Sequence, residues 1–250
     1  MLKRLIISVS KPILKRRDTN IFLSFCLLPI LVPFLSGNME GMNVDYTKSF
    51  LSFLDITLLT QYRLTIPVLI FSILISSIFR DEIDNGIMFL YKDIKRSTIF
   101  NAKIIGITFV YSMYLIGTFF TTLITYYGIM LPRFGVDSNF LPPTSILLEK
   151  SILSILSVIL LNLVTIAIVA MASIKSKTLV AVLVGTLSTL FATIAPLLTG
   201  VKYAIPLTYA NNLQSGNNFG VTMLIVIGLS FIYYLPSYLI AKNNFEKVEF

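Results

Sequence analysis

Residues 104–131 run for 28 positions without one Asp, Glu, Lys or Arg. A helix rises about 1.5 Å per residue, so this run exceeds the ~30 Å apolar core of a bilayer. Inside hydrocarbon every backbone N–H and C=O needs an internal partner, which makes the run a helix. Uncharged apolar runs at 151–174, 178–199 and 221–241 follow the same pattern, 56–79 does so apart from Arg63, and 21–36 is a shorter one. Only 13% of the chain is charged and 56% is hydrophobic, against roughly 25% and 45–50% in a soluble domain. The expected fold class is an all-α membrane protein with six transmembrane helices. Residues 1–17 form an interfacial helix, and 18–250 form the six-helix transmembrane domain.

The N-terminal segment places Leu2, Leu5, Ile6, Val9 and Ile13 on one helical face, with Lys3, Arg4, Lys11, Lys15, Arg16 and Arg17 supplying charge. Such a helix lies on a membrane rather than across it. The alternative is a disordered basic tail. Pro12 is expected to break or kink the helix. No small-residue cleavage site follows, so the segment is read as retained. The first span, 21–36, is short for a bilayer, and Pro29 and Pro33 are expected to bend it. Residues 37–55 read as a polar outer loop. Arg63 reads as a snorkelling residue near the outer end of the second span. Tyr126 and Tyr127 read as interfacial anchors at the outer end of the third. Gly185 and Ser188 permit close helix approach in the fifth. The half-polar outer segment 200–220 suggests short interfacial helices.

Six spans put both termini on one side. Fifteen of the 20 Lys and Arg fall on that side, which the positive-inside rule assigns to the cytoplasm of a bacterial cell membrane. The net charge of +8 is thereby explained by lipid and topology, without nucleic acid.

Several chemistries are excluded. Histidine is absent, which removes His metal sites, Ser-His triads and His proton relays. The single cysteine, Cys26, cannot form an internal disulfide. No acidic residue falls at the centre of an expected span, which argues against an ion-coupled carrier and an intramembrane enzyme. No P-loop is present, so the chain has no ATP site of that kind, and no cofactor or metal is expected. Asn162 and Thr165 lie near the middle of the fourth span. They read either as helix–helix contacts or as candidates for a substrate path.

The polar island 80–103 is much longer than a tether between two helices requires. It holds four acidic and five basic residues around an apolar run from Ile87 to Tyr91. It reads either as a solvated charged loop or as a short helix whose apolar side enters a groove on a cytosolic partner. Ile87, Phe89, Leu90, Tyr91 and Ile94 would supply that face, with Lys92, Lys95 and Arg96 on its rim.

Here the chain resembles the permease subunits of ABC-2 type transporters. Glu82, Asp84 and Gly86 match the opening of that family's inner-loop signature, Leu90 its apolar turn, Arg96 its basic position and Lys103 its closing lysine. Ile87 stands where the family has Thr, and the family proline is missing. Pro206, Tyr209 and Gly216 are similar to the family's outer segment before the last span. The resemblance implies a cytoplasmic coupling helix, headed by Glu82 as its cap, that docks on a separate cytosolic ABC ATPase. It also implies a second permease subunit, identical or related, with the first and fifth spans at the dimer interface. ATP would be hydrolysed by the partner and not by this chain. Permeases that resemble this chain often export antimicrobial or toxin peptides, such as phenol-soluble modulins, or confer immunity to them. A drug or lipid-linked glycan exporter fits the resemblance equally. Spans rich in Ile, Leu and Phe suit an amphipathic or apolar cargo.

Overall fold

The computed structural model describes residues 2–35, 47–86, 94–211 and 218–248, apart from the side chains of 2–7, 32, 34, 35 and 211. Among the described residues every regular element is helical. In chain order these are α1 (Leu2–Lys15), α2 (Arg17–Ser24), α3 (Leu28–Leu35), α4 (Phe50–Arg63), α5 (Thr65–Ser76), α6 (Glu82–Asp84), α7 (Arg96–Thr125), α8 (Leu131–Phe134), α9 (Ser145–Lys175), α10 (Thr178–Ile194), α11 (Pro206–Asn211) and α12 (Phe219–Glu246). Two π-helical turns, Ser77–Asp81 and Tyr126–Met130, continue α5 and α7.

Four stretches are long and apolar enough to cross a membrane: Arg96–Phe134, Ser145–Lys175, Thr178–Leu197 and Phe219–Glu246. A fifth is formed only if Phe50–Arg63 and Thr65–Asp84, bent by 65°, count as one span. Large apolar side chains face outward on the long helices: Phe109, Ile116 and Phe120 on α7, Leu179, Leu183 and Leu187 on α10, and Leu224 and Ile232 on α12. A surface of that kind needs lipid or a partner to cover it. The chain has the build of a multi-pass membrane protein.

The expected spans are redrawn in three places. The first, expected over 21–36, is a helix–3₁₀–helix unit, with the 3₁₀ turn at Phe25–Leu27 between α2 and α3. Pro29 has no N–H to give to the Phe25 carbonyl. Leu28 N–H closes the tighter turn onto that carbonyl instead, and Gln61 Nε2 donates to it at 3.2 Å. The second span begins earlier than Ile56 and is broken. Ser49 Oγ accepts from Ser52 N–H at 3.2 Å and starts α4 at Phe50. Leu64 is extended (φ −67, ψ 121). Pro67, which cannot donate to the carbonyl of Arg63, sits three residues further on. Arg63 therefore ends a helix at a bend instead of opening one. The third and fourth spans begin early, at Arg96 and Ser145, so part of the polar island is helix.

Two apolar cores lie at opposite ends of α7. At one end Val9 and Ile13 of α1 belong to one buried apolar cluster with Ile99, Phe100, Ile107, Phe79 and Phe245. The described part of the α1 apolar face is thus covered by protein. The helix also runs through Pro12 without ending. At the far end Phe50, Phe53, Tyr126, Met130 and Val136 form the second core. Tyr126, expected as an interfacial anchor, is fully buried, because its hydroxyl has carbonyls to donate to: Asp137 O at 2.6 Å and Thr47 O at 3.2 Å. The first free N–H groups of α4, on Phe50 and Leu51, donate to Asn139 O and Phe140 O at 3.0 and 3.1 Å. Between the ends, α10 crosses α5 closely at Gly185. A Cβ there would lie 2.6 Å from Val169 Cγ2 and nearer still to Ser72 Oγ. In the segment expected as interfacial helices, α11 buries Leu207 and Ala210.

Candidate functional site

Two places gather polar side chains inside this apolar body. The first lies at the base of the 80–103 island. Lys103 sits two turns into α7 and is 1% exposed. Its ammonium lies 2.7 Å from Glu82 Oε2 and donates to Ile78 O at 2.8 Å. It also stands over the rings of Phe79 and Phe245 at 5.3 and 5.5 Å. The other Glu82 oxygen accepts from Arg16 at 3.0 Å, and the same guanidinium donates to Ser77 Oγ at 3.0 Å. The π turn at Ser77–Asp81 presents Ile78 O and Ser77 Oγ to these cations. One carboxylate thus joins the connection after α1, the end of α5 and the start of α7. Its cost is desolvation, which such a pair offsets only when both charges are well bonded, as they are here.

Glu82, Asp84, Gly86 and Arg96 are placed as follows. Glu82 opens α6, and both its oxygens are engaged by Arg16 and Lys103. Asp84 pairs with Arg80 at 2.7 Å on the surface. Gly86 takes φ +66, a left-handed turn that ends the helix and suits glycine. Arg96, the first residue of α7, donates to Glu246 O at 2.8 Å and to Val248 O, so it holds the last carbonyl of α12 and one just past its end. Ile94 packs against the core. Ile87, Phe89, Leu90 and Tyr91 lie outside the described residues. Glu82, expected as a cap, instead continues the helical run from the π turn into α6, and its carboxylate goes to Arg16 and Lys103. The structure therefore gathers Glu82 with Lys103, and keeps Asp84 and Arg96 at separate points around them. Arg16 was assigned only to the basic face of the N-terminal helix. No sequence signal pairs it with a residue 66 positions away.

The second place is the break between α4 and α5. A cavity of about 20 Å³ is lined by Gln61, Tyr62, Pro67, Phe71, Tyr111 and Asn162, among others. Gln61 and Tyr111 are 4% and 2% exposed, and neither Gln61 Oε1 nor Tyr111 Oη has a hydrogen-bond partner. Tyr111 Oη faces Asn162 without a bond of normal geometry. Asn162 Nδ2 donates to Val158 O at 3.0 Å, within its own helix. A larger cavity of about 150 Å³ lies beside Tyr62, between α9, α10 and α12, and Thr165 lines it. The two candidates for a substrate path thus line neighbouring cavities one turn apart on α9. Gln61 and Tyr111, which share the smaller cavity with Asn162, were not candidates. A glutamine inside an apolar run is the signal that points to the first.

No group of three His, Cys, Asp or Glu that could hold a metal occurs among the described residues. No family model, curated protein or solved structure matches the chain.

Proposed function

We propose that the chain is the membrane subunit of an ATP-driven exporter of the ABC-2 type, embedded in a bacterial cell membrane with both termini cytoplasmic. In this reading the first helical unit, α2 and α3, crosses as a bent sixth span. The exporter moves amphipathic peptides or similar apolar compounds outward. The observation that carries the reading is the Arg16–Glu82–Lys103 network. It fixes the base of the polar island to three helices, so a force applied at 87–93 would be passed to the membrane body instead of being lost in a slack loop. A separate ATPase would bind the island through Phe89, Leu90 and Tyr91, and a second permease subunit would complete the pathway. Mild-detergent purification of the tagged chain from its own cell tests this. A P-loop ATPase in about equal amount is the expected result, and Phe89→Ala with Tyr91→Ala releases it while the membrane body stays folded. Retention of the ATPase by that double variant removes the docking assignment.

A second reading is favoured by the broken helix. A bend beside a polar cavity is also how stand-alone carriers build binding sites. That reading requires transport by the purified chain in liposomes without ATP.

A further inference from the structure

The two cavities beside Tyr62 differ in chemistry. In the larger one the hydroxyls of Thr165, Ser188 and Tyr233 are already engaged: Thr165 Oγ1 donates to Leu161 O at 2.9 Å, Ser188 Oγ to Gly185 O at 2.8 Å, and Tyr233 Oη to Ala204 O at 2.8 Å. What they leave is an apolar wall of Leu161, Val164, Ile168, Phe191, Ala192 and Ile205. A closed apolar cavity of about 150 Å³ takes a benzene ring. This one has about that volume but is half open, bordering the surface at Phe191, which is itself half exposed. The smaller cavity has the opposite character. Two buried polar atoms, Gln61 Oε1 and Tyr111 Oη, are unpartnered there, and about 20 Å³ is room for one hydroxyl or one water. An unpartnered buried polar group is costly, so the site favours whatever supplies the bond. Tyr62 lines both cavities. It sits two residues before the break at Leu64, where helical hydrogen bonds no longer hold the chain on one side.

We infer that the two cavities form one binding site for a small amphipathic molecule, with a ring-sized apolar body and one hydroxyl-type group. The body occupies the cavity against Phe191 and Ala192. The hydroxyl passes Tyr62, donates to Gln61 Oε1 and accepts from Tyr111 O–H. Tyr62 is the partition that turns aside when the ligand enters. As a statement about cargo this rests on the export reading, but binding itself does not.

The test uses the purified full chain in lipid nanodiscs and two photoreactive probes, trifluoromethyl-phenyl-diazirine and its hydroxymethyl derivative. Adducts are mapped by mass spectrometry against probe concentration. The expected result is saturable labelling by the alcohol on the segments holding Tyr62, Thr165 and Phe191. The probe without the hydroxyl should need at least about tenfold more to half-saturate, because it forms neither of the two buried hydrogen bonds. Gln61→Leu should shrink the difference between the probes, leaving only the bond from Tyr111. Ala192→Phe, which fills the apolar part and leaves Gln61 in place, should abolish saturable labelling by both, so the conclusion does not hang on one variant folding. Non-saturable labelling spread over the lipid-facing side chains of α7, α10 and α12, equal for the two probes, overturns the site. The ATPase pull-down is unaffected by either outcome, so failure of the site and failure of the export reading are read separately.

Discussion

Removing the charge of Lys103 should cost more than any surface change in this chain, and the structure says how the cost divides. In Lys103→Met the carboxylate of Glu82, 16% exposed, keeps Arg16 at 3.0 Å, but the Ile78 carbonyl loses its donor. That carbonyl alone is worth about 1–3 kcal/mol. Breaking a buried pair typically costs about 3–5 kcal/mol, and the surviving Arg16 contact puts this variant at the low end, about 3 kcal/mol. Glu82→Leu is worse, at about 5 kcal/mol. It takes the carboxylate away from an ammonium that is 1% exposed. The double variant Lys103→Met with Glu82→Leu removes both charges. It should therefore lose less than the sum of the two, by about 1–3 kcal/mol. Detergent-titrated unfolding in mixed micelles, with the three variants compared with the parent chain, gives the cycle. Additivity of the single costs to within about 0.5 kcal/mol would mean that Lys103 and Glu82 are not coupled, and the network would lose its role as the joint of the loop base.

Other consequences follow from single contacts. Gly185→Val drives a side chain into Val169 and Ser72 and should destabilise the α5–α10 crossing by about 1–3 kcal/mol, visible in the same unfolding assay. Tyr126→Phe takes a donor from Asp137 O and Thr47 O. It should cost about 1–2 kcal/mol and speed proteolysis within 135–144, while leaving the other end of α7 untouched. Arg96→Ala frees the last carbonyl of α12 and one just past its end, so amide exchange at 242–248 should rise with no change along α9. In a Cys26→Ser background, Asn85→Cys and Ser176→Cys should react with an impermeant maleimide from one side of the membrane, and Asp137→Cys from the other. Labelling of all three from one side refutes the topology.

What was legible in the sequence is what depends on one segment at a time. The long uncharged run of α7, the apolar run of α9 and the turn at Lys175 and Lys177 are local properties, and they appear nearly where expected. Helix ends were misplaced where a neighbour supplies what the sequence lacks. Arg96 and Lys103 look like loop residues because they are charged. They are helical because the last α12 carbonyl, Glu82 and the Ile78 carbonyl satisfy them. The break at Leu64 had a local cause, Pro67, hidden in a strongly apolar stretch. The partnership of Gln61 with the Phe25 carbonyl spans 36 positions and had no local trace. The same holds for Arg16 and Glu82. Long-range polar pairs inside a membrane body are set by packing, and packing is what a single sequence leaves out.

The two polar places share one element. Helix α5 has the break at Leu64 at one end and the π turn Ser77–Asp81 at the other, both interruptions of the regular hydrogen-bond ladder. Its start, Pro67, Val68 and Phe71, lines the small cavity, and the turn that ends it presents Ile78 O and Ser77 Oγ to Lys103 and Arg16. A short, packed helix bounded by two interruptions moves as a rigid rod, because core packing resists bending within it more than the ladder resists flexing at its ends. If a motor pulls on the island, α5 is the element that carries the displacement to the cavity. If no motor exists, the same rod is expected to couple the charge network to the proposed site. Binding of the hydroxymethyl probe should then change the exchange of the amides at 77–81, a dozen residues away along α5. Unchanged exchange there under saturating probe would leave the two places as independent features of one fold.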